Sequence, residues 1–457
     1  MNRRTFLARL ACASVAGGAA VFADGRCLSA ADTASLGRAK PNFVVIMADD
    51  LGYGDIGCFG SDRIRTPNLD RLAADGVRFT DFHASGAVCS PTRAGLLTGR
   101  YQQRAGIPGV LSVAAHRNHG LAPDEVTFAE CLKARGYATG VFGKWHLGYQ
   151  EKFNPIHQGF DEFVGYVSGN VDYVSHIDQG GVADWWHGNQ LHPEEGYTTH
   201  LITKHAVDFI ERHKDGPFCL YVAHEAPHYP FQGPNDKADR TVGGKFDTHG
   251  SRKDKQAAYK EMVEAMDTGV GQVVAALERA GLTRDTLVFF FSDNGAISVG
   301  SNGPLRGHKG QLWEGGHRVP GIARWPGRIR LGRTADDTLI TLDIFPTLLA
   351  LAGASAPEGR TIDGTDLAPV LFDEKPLAPR RLFWAMGNQR AVRDGPWKLV
   401  RGVQGLKAKV GLYHLGRDLG EKNNLADAEG DRVRTMLAAL ETWEQDVGAN
   451  EPMPTQS

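Results

Sequence analysis

Phe43-Val44-Val45-Ile46-Met47-Ala48-Asp49-Asp50-Leu51-Gly52-Tyr53-Gly54 runs six apolar residues into two aspartates and a glycine-marked turn. A short apolar run bounded by turn signals reads as a strand buried on both faces, the kind found in parallel sheets covered by helices. Neighbouring strand residues face opposite ways, so Asp49 and Asp50 converge only where the chain leaves the strand, as Leu51 to Gly54 allows. Leu287-Val288-Phe289-Phe290-Phe291 runs through Ser292 into Asp293-Asn294 in the same manner.

Thr139 to Phe142 and Phe218 to Ala223 read as two further buried strands. Between the strands, Leu69 to Ala74, Glu125 to Arg135, Thr199 to His213 and Ala257 to Ala280 carry apolar residues three and four apart, the spacing of helices. This alternation predicts an α/β fold: a large, mainly parallel sheet sandwiched by helices, with its chemistry at the carboxyl ends of the strands. Beyond about Leu377 the texture changes to the short pieces Phe383-Trp384, Ala391-Val392, Trp397 to Val400 and Leu412-Tyr413, followed by a helix from about Arg432 to Val447. The expected organisation is a leader over 1–31, a large domain over 32–376 and a small C-terminal α+β domain over 377–457.

Of the 457 residues, 42% are hydrophobic and 23% charged, and 51 basic against 53 acidic residues leave a formal net charge of −2. That balance supports a large core and, with no sustained run of either sign, offers no footprint for nucleic acid. Asn2-Arg3-Arg4-Thr5-Phe6-Leu7 precedes an alanine-rich apolar stretch from Leu10 to Ala23, which reads as a twin-arginine export signal. A twin-arginine translocase partner and a periplasmic or secreted destination follow as expectations. Loss of the leader removes Cys12 and Cys27 and leaves Cys58, Cys89, Cys131 and Cys219, which neither space like metal ligands nor form a disulfide scaffold. Cys131 and Cys219 are expected to be buried packing residues.

Three carboxylates and one amide oxygen at a single sheet edge would repel unless a hard cation sat among them. Asp49, Asp50, Asp293 and Asn294 are therefore candidate ligands for calcium or magnesium rather than zinc. In Cys89-Ser90-Pro91-Thr92-Arg93, Ser90 suits a helix N-cap and Pro91 the first turn, which puts Cys89 against free amides that attract an anion. Arg93 adds a fork of donors for sulfate or phosphate oxygens. Lys144 and His146 are two apart, so in an extended segment both face one side while Trp145 packs away.

The stretch Cys89 to Arg100 and the stretch Gly136-Tyr137-Ala138-Thr139-Gly140-Val141-Phe142-Gly143-Lys144-Trp145-His146-Leu147-Gly148 resemble the two signature motifs of the type I, formylglycine-dependent sulfatases. These are arylsulfatase and N-acetylgalactosamine-6-sulfatase-like members of the alkaline phosphatase superfamily. Asp49-Asp50, Ala226 to Pro230, Ser292 to Gly295, Leu305 to Gly310 and Trp313 to Gly316 look like family landmarks in the family's order. The resemblance implies an alkaline phosphatase-like fold and conversion of Cys89 to formylglycine by a formylglycine-generating enzyme. It also implies a hydrated aldehyde that attacks sulfur, forms a covalent sulfate ester and then expels sulfate.

By the same resemblance, Cys89, Arg93, Lys144, His146, His228 and Lys309 are the catalytic residues, with His146 the base and Arg93 holding the diol. Lys309 and His228 bind the sulfate and protonate the departing alcohol, in an order left open. The implied metal set is Asp49, Asp50, modified Cys89, Asp293 and Asn294, with calcium favoured and magnesium open. His224 is expected to pack or to line the outer pocket, and His308 and His317 stand outside the site. The implied substrate is a sulfated carbohydrate, from a polysaccharide or glycosaminoglycan, or an aryl sulfate. The segment Tyr166 to His187, rich in rings and polar groups, offers sugar contacts or else packing. The rivals are a phosphonate monoester or phosphodiester hydrolase on the same fold and a non-catalytic sugar-binding scaffold.

Overall fold

The computed structural model describes residues 40–451 and Met453, so the leader expected over 1–31 lies outside the described residues. The strands are β1 (Asn42–Ala48), β2 (Val77–Phe79), β3 (Phe82–His83), β4 (Ala138–Lys144), β5 (Glu162–Tyr166), β6 (Trp186–His187), β7 (Gln190–Leu191) and β8 (Phe218–Ala223). They continue as β9 (Thr286–Ser292), β10 (Gly321–Arg324), β11 (Arg333–Ala335), β12 (Leu339–Ile340), β13 (Arg381–Met386), β14 (Gln389–Asp394), β15 (Trp397–Arg401) and β16 (Val410–His414). Ten of them form one sheet in the order β11-β2-β10-β9-β1-β8-β4-β5-β6-β7.

The apolar stretches set the centre of that sheet. From β9 to β5 all pairs are parallel, whereas β10 and the β6–β7 hairpin run antiparallel at the flanks. The sheet is thus mixed, parallel where the strands are long and buried on both faces. Phe43, Val45 and Met47 of β1 enter one core and Val44, Ile46 and Ala48 the other, as strand alternation requires. In register, Ala48 pairs with Ser292, so β1 and β9 end level and deliver Asp49 and Asp293 to the same carboxyl edge.

Helices observed at Pro67–Ala74, Thr198–His213 and Lys255–Arg279 match the periodic segments to within three residues. The segment expected over Glu125 to Arg135 is helical only over Phe128–Lys133. Its start is fixed by a capping box, in which the Glu130 amide donates to Thr127 Oγ1 at 3.3 Å and the Thr127 amide to Glu130 Oε2 at 2.8 Å. Cys219 is fully buried as expected, but Cys131 is only half-buried, because this short helix lies at the surface of its core. No described helix is long and apolar enough to cross a membrane.

Strands β13 to β16 form an antiparallel four-stranded sheet, packed with the helix Gly430–Val447 around a core that also takes in Ala87, Trp313 and Leu342. A sealed ionic layer joins this sheet to the rest. Lys398 Nζ donates to Glu314 Oε1 at 2.9 Å and lies 3.1 Å from Glu421 Oε1, while Arg318 and Arg393 hold Asp81 at 2.9 and 3.0 Å. His317 is buried here, stacked on Trp384, which accounts for its place outside the active cleft.

Candidate active site

Cys89 opens the helix Cys89–Thr98, every residue of which is buried. The cap differs from the expected one: Val88 occupies the N-cap with φ −154°, and no side chain caps the helix. Ser90 instead accepts the Leu111 amide on its Oγ at 3.1 Å, fastening the loop that roofs the site. Cys89 therefore sits at the first helical position, where unpaired amides favour an anion.

Lys309 Nζ lies 3.7 Å from Cys89 Sγ and 2.6 Å from Asp50 Oδ1, and Lys144 Nζ pairs with Asp49 Oδ2. Burial alone would raise the Cys89 thiol, but the ammonium groups of Lys144 and Lys309 outweigh it and bring the thiol down to about 6. Arg93 is fully buried and spends its fork inward: it donates to the Lys144 carbonyl at 2.8 Å, to Asp49 Oδ2 at 3.3 Å and to Asp293 Oδ2 at 3.4 Å. It binds the carboxylates, not the open cleft, so its fork positions the acidic set behind Cys89.

The acids differ in state. Burial works to raise Asp49, yet Lys144, His228 and Arg93 together hold its carboxyl well below the usual range. Burial and the charge of Asp49 push Asp293 well above that range. Asp49 Oδ1, Asp50 Oδ2 and Asn294 Oδ1 are buried with no hydrogen-bond partner, and oxygens of Asp49, Asp50 and Asp293 lie within 4.8 Å of one another. Buried acceptors without donors are costly. A hard divalent cation satisfies such a donor set and would offset the burial and repulsion that raise Asp293, so these residues fit a calcium or magnesium ion.

Lys144 ends β4, and the chain then breaks strand alternation, because His146 takes a left-handed φ of 55°. Trp145 packs inward and donates its indole N–H to the Phe153 carbonyl at 2.7 Å. His146 Nε2 meets the Leu111 carbonyl at 2.8 Å, so this nitrogen carries the proton and Nδ1, buried and unpartnered, keeps a free lone pair. Burial, with Lys144 nearby, keeps the imidazole neutral by lowering it well below its usual range. His228 donates from Nδ1 to the Tyr229 carbonyl at 2.6 Å and presents Nε2 to Asp50 Oδ2 at 3.7 Å.

All ten residues singled out from the sequence, Asp49, Asp50, Cys89, Arg93, Lys144, His146, His228, Asp293, Asn294 and Lys309, thus meet at one place. A cleft of about 140 Å³ opens in front of Cys89, lined by His146, His228 and Lys309 together with Tyr149, Asn170, Gln179 and Tyr229. Sequence reasoning missed Tyr149, Gln179 and the Leu111 carbonyl, which arrive on loops without periodicity. The Tyr166 to His187 segment divides between the two readings. Tyr166, Tyr173 and Trp185 are buried packing residues, Asp172 and Asp184 bind backbone amides, and Asn170 and Gln179 are the side chains of the segment that line the cleft with Ser168. His224 packs, fully buried, and His308 is exposed.

A family model described as Sulfatase matches residues 41–354, and one described as N-sulphoglucosamine sulphohydrolase, C-terminal, matches residues 308–443. The chain is 36% identical over 476 residues to arylsulfatase A of Homo sapiens, covering 91% of this chain and 89% of that one. It is 34% identical over 439 residues to N-acetylgalactosamine-6-sulfatase of Mus musculus, covering 84% and 81% respectively. The crystal structure of Ps i-CgsB, also solved in complex with k-i-k-neocarrahexaose, superposes with a TM-score of 0.80 at 31% identity, covering 89% of this chain and 93% of that one. With that fold, that cleft and these relatives, the chain belongs to the sulfatase family of the alkaline phosphatase superfamily and is a sulfuric ester hydrolase.

Proposed function

We propose that this sulfatase is exported and removes sulfate from a sulfated sugar, using a formylglycine made from Cys89. The observation that carries the reading is the convergence on Cys89 of Lys144, Lys309 and His228 beside three unpartnered acceptors. Formylglycine would supply a hydrated aldehyde with one hydroxyl to attack sulfur and a second to release it, and a bound divalent cation would supply Lewis acidity. Asp49, Asp50, Asp293 and Asn294 would hold the cation. Lys144 and Lys309 set the positive field that receives sulfate oxygens, and His146, which lines the cleft, is the base. His228 and Lys309 are the two groups placed to meet the departing alcohol.

A sugar is favoured over a plain aryl group by the amides of Asn170 and Gln179 and the rings of Tyr149 and Tyr229 at the cleft. It is also favoured by two relatives, an N-acetylgalactosamine-6-sulfatase and a structure in complex with k-i-k-neocarrahexaose. Export rests on Arg3-Arg4 and the apolar stretch after them. The test begins with the mass of the tryptic peptide Phe79 to Arg93 in purified protein, which should show an aldehyde in place of the thiol. Rates are then compared on sulfate and phosphate esters of one alcohol. A higher efficiency on the phosphate diester would replace this reading with the phosphodiesterase one.

A further inference from the structure

Away from the cleft, the β6–β7 hairpin and the helix Thr198–His213 bring a second set of ligand-type side chains together. His187 Nε2 lies 3.2 Å, and His205 Nε2 2.8 Å, from the same oxygen of Glu194, Oε2. The three ligand atoms all fall within 4.8 Å of one another. A third imidazole, His192, lies beside His187 with ring centroids 4.4 Å apart. The carboxylate is itself oriented: Trp185 donates its indole N–H to Oε2 at 3.3 Å, and Lys204 holds Oε1 at 3.1 Å. Outer partners of this kind fix ligands in metal sites. The residues are partly exposed, so an ion can enter.

We propose that His187, Glu194 and His205 bind a divalent transition-metal ion of the zinc type, with His192 or water completing the shell. Two imidazoles and one carboxylate suit zinc and do not suit calcium, which takes six or more oxygens. This sets the cluster apart from Asp49, Asp50 and Asp293. It also differs from the buried trio His83, Glu314 and His317, whose carboxylate is already held by Lys398 and Arg318, with Arg393 at 3.6 Å; a cation there would meet three others. An ion at Glu194 would staple the hairpin to the helix. The hairpin carries Trp186 and Gln190, which line a depression that shares Tyr149 with the Cys89 cleft. The ion therefore acts on the shape of the surface beside the cleft, not on the chemistry within it.

The experiment is equilibrium dialysis of chelator-treated full-length protein against zinc in excess calcium, so that the oxygen-lined site is filled. The parent chain should retain one zinc that His187→Ala and His205→Ala both lose. Retention of no zinc by the parent, or equal retention by the variants, overturns the proposal. Should either variant fail to fold, zinc added to the parent should shield His187 and His205 from diethyl pyrocarbonate in peptide mass spectra. Equal labelling with and without zinc overturns it as well.

Discussion

At the Cys89 site, Asp49, Asp50 and Asp293 face Arg93, Lys144 and Lys309; in the layer beneath the C-terminal sheet, Asp81, Glu314 and Glu421 face Arg318, Arg393 and Lys398. Both assemblies are buried, and their formal charges balance in the same way. They differ in what lies in front of the charges. The layer is closed by the stacked rings of His317 and Trp384, and each of its carboxylates lies within 3.1 Å of a cation, although Glu421 Oε1 accepts no hydrogen bond. The site keeps unpartnered oxygens behind Cys89 and a cleft before it. Buried charge alone therefore does not mark chemistry; unmet acceptors beside an accessible cleft do.

The sharpest way to test that distinction is at Cys89. Cys89→Ala should cut sulfate release by about a thousandfold or more while the far-UV spectrum stays that of the parent, and a parent-like rate would break the comparison. Chelation should next abolish turnover and calcium or magnesium restore it, with full activity after exhaustive chelation counting against a metal at Asp49, Asp50, Asp293 and Asn294. Disturbing the layer should do the reverse. Lys398→Met leaves Glu314 and Glu421 buried without their ammonium and should cost about 3–5 kcal/mol in urea unfolding, leaving turnover per folded molecule unchanged. A loss under about 1 kcal/mol would mean that the layer does not hold the sheet.

The smallest expected effect concerns His224, fully buried with no partner for either ring nitrogen. Burial lowers this imidazole to about 3. In the unfolded chain it takes a proton below about pH 6.5, so between these limits the unfolded state binds more protons. Its contribution is intact above pH 6.5 and is lost as pH falls, by about 3 kcal/mol at pH 4. His224→Leu should shrink the stability difference between pH 7 and pH 4 by about that amount. An unchanged difference would show that the ring finds a proton acceptor on acidification.

The sheet was legible because β1, β4, β8 and β9 are buried on both faces and so are largely apolar, with their polar residues near the strand ends. Its flanks were not, since β6, β7 and β10 are two to four residues long and too short to show a period. The site was readable for a related reason: Asp49-Asp50, Lys144 and Asp293-Asn294 stand at or just beyond the ends of those same strands. Ser90 misled as a cap because its hydroxyl serves Leu111, a contact formed across a loop. The rings from Tyr166 to Trp185 could be read either as sugar contacts or as packing, because composition does not say which way a ring turns. The layer at Lys398 was not legible as one assembly, although Glu314 and Lys398 lay in segments already singled out, because its members are scattered from Asp81 to Glu421.

The burial of the helix that begins at Cys89 has a consequence for biosynthesis. Ser90, Pro91, Thr92 and Arg93 are fully enclosed, with Arg93 committed to Asp49, Asp293 and the Lys144 carbonyl. Once the helix has packed, the residues that follow Cys89 offer no exposed side chain to another protein. If Cys89 is converted as proposed, the enzyme that grips this segment would have to act before the helix packs, and protein folded with the thiol in place should stay unmodified when that enzyme is added later.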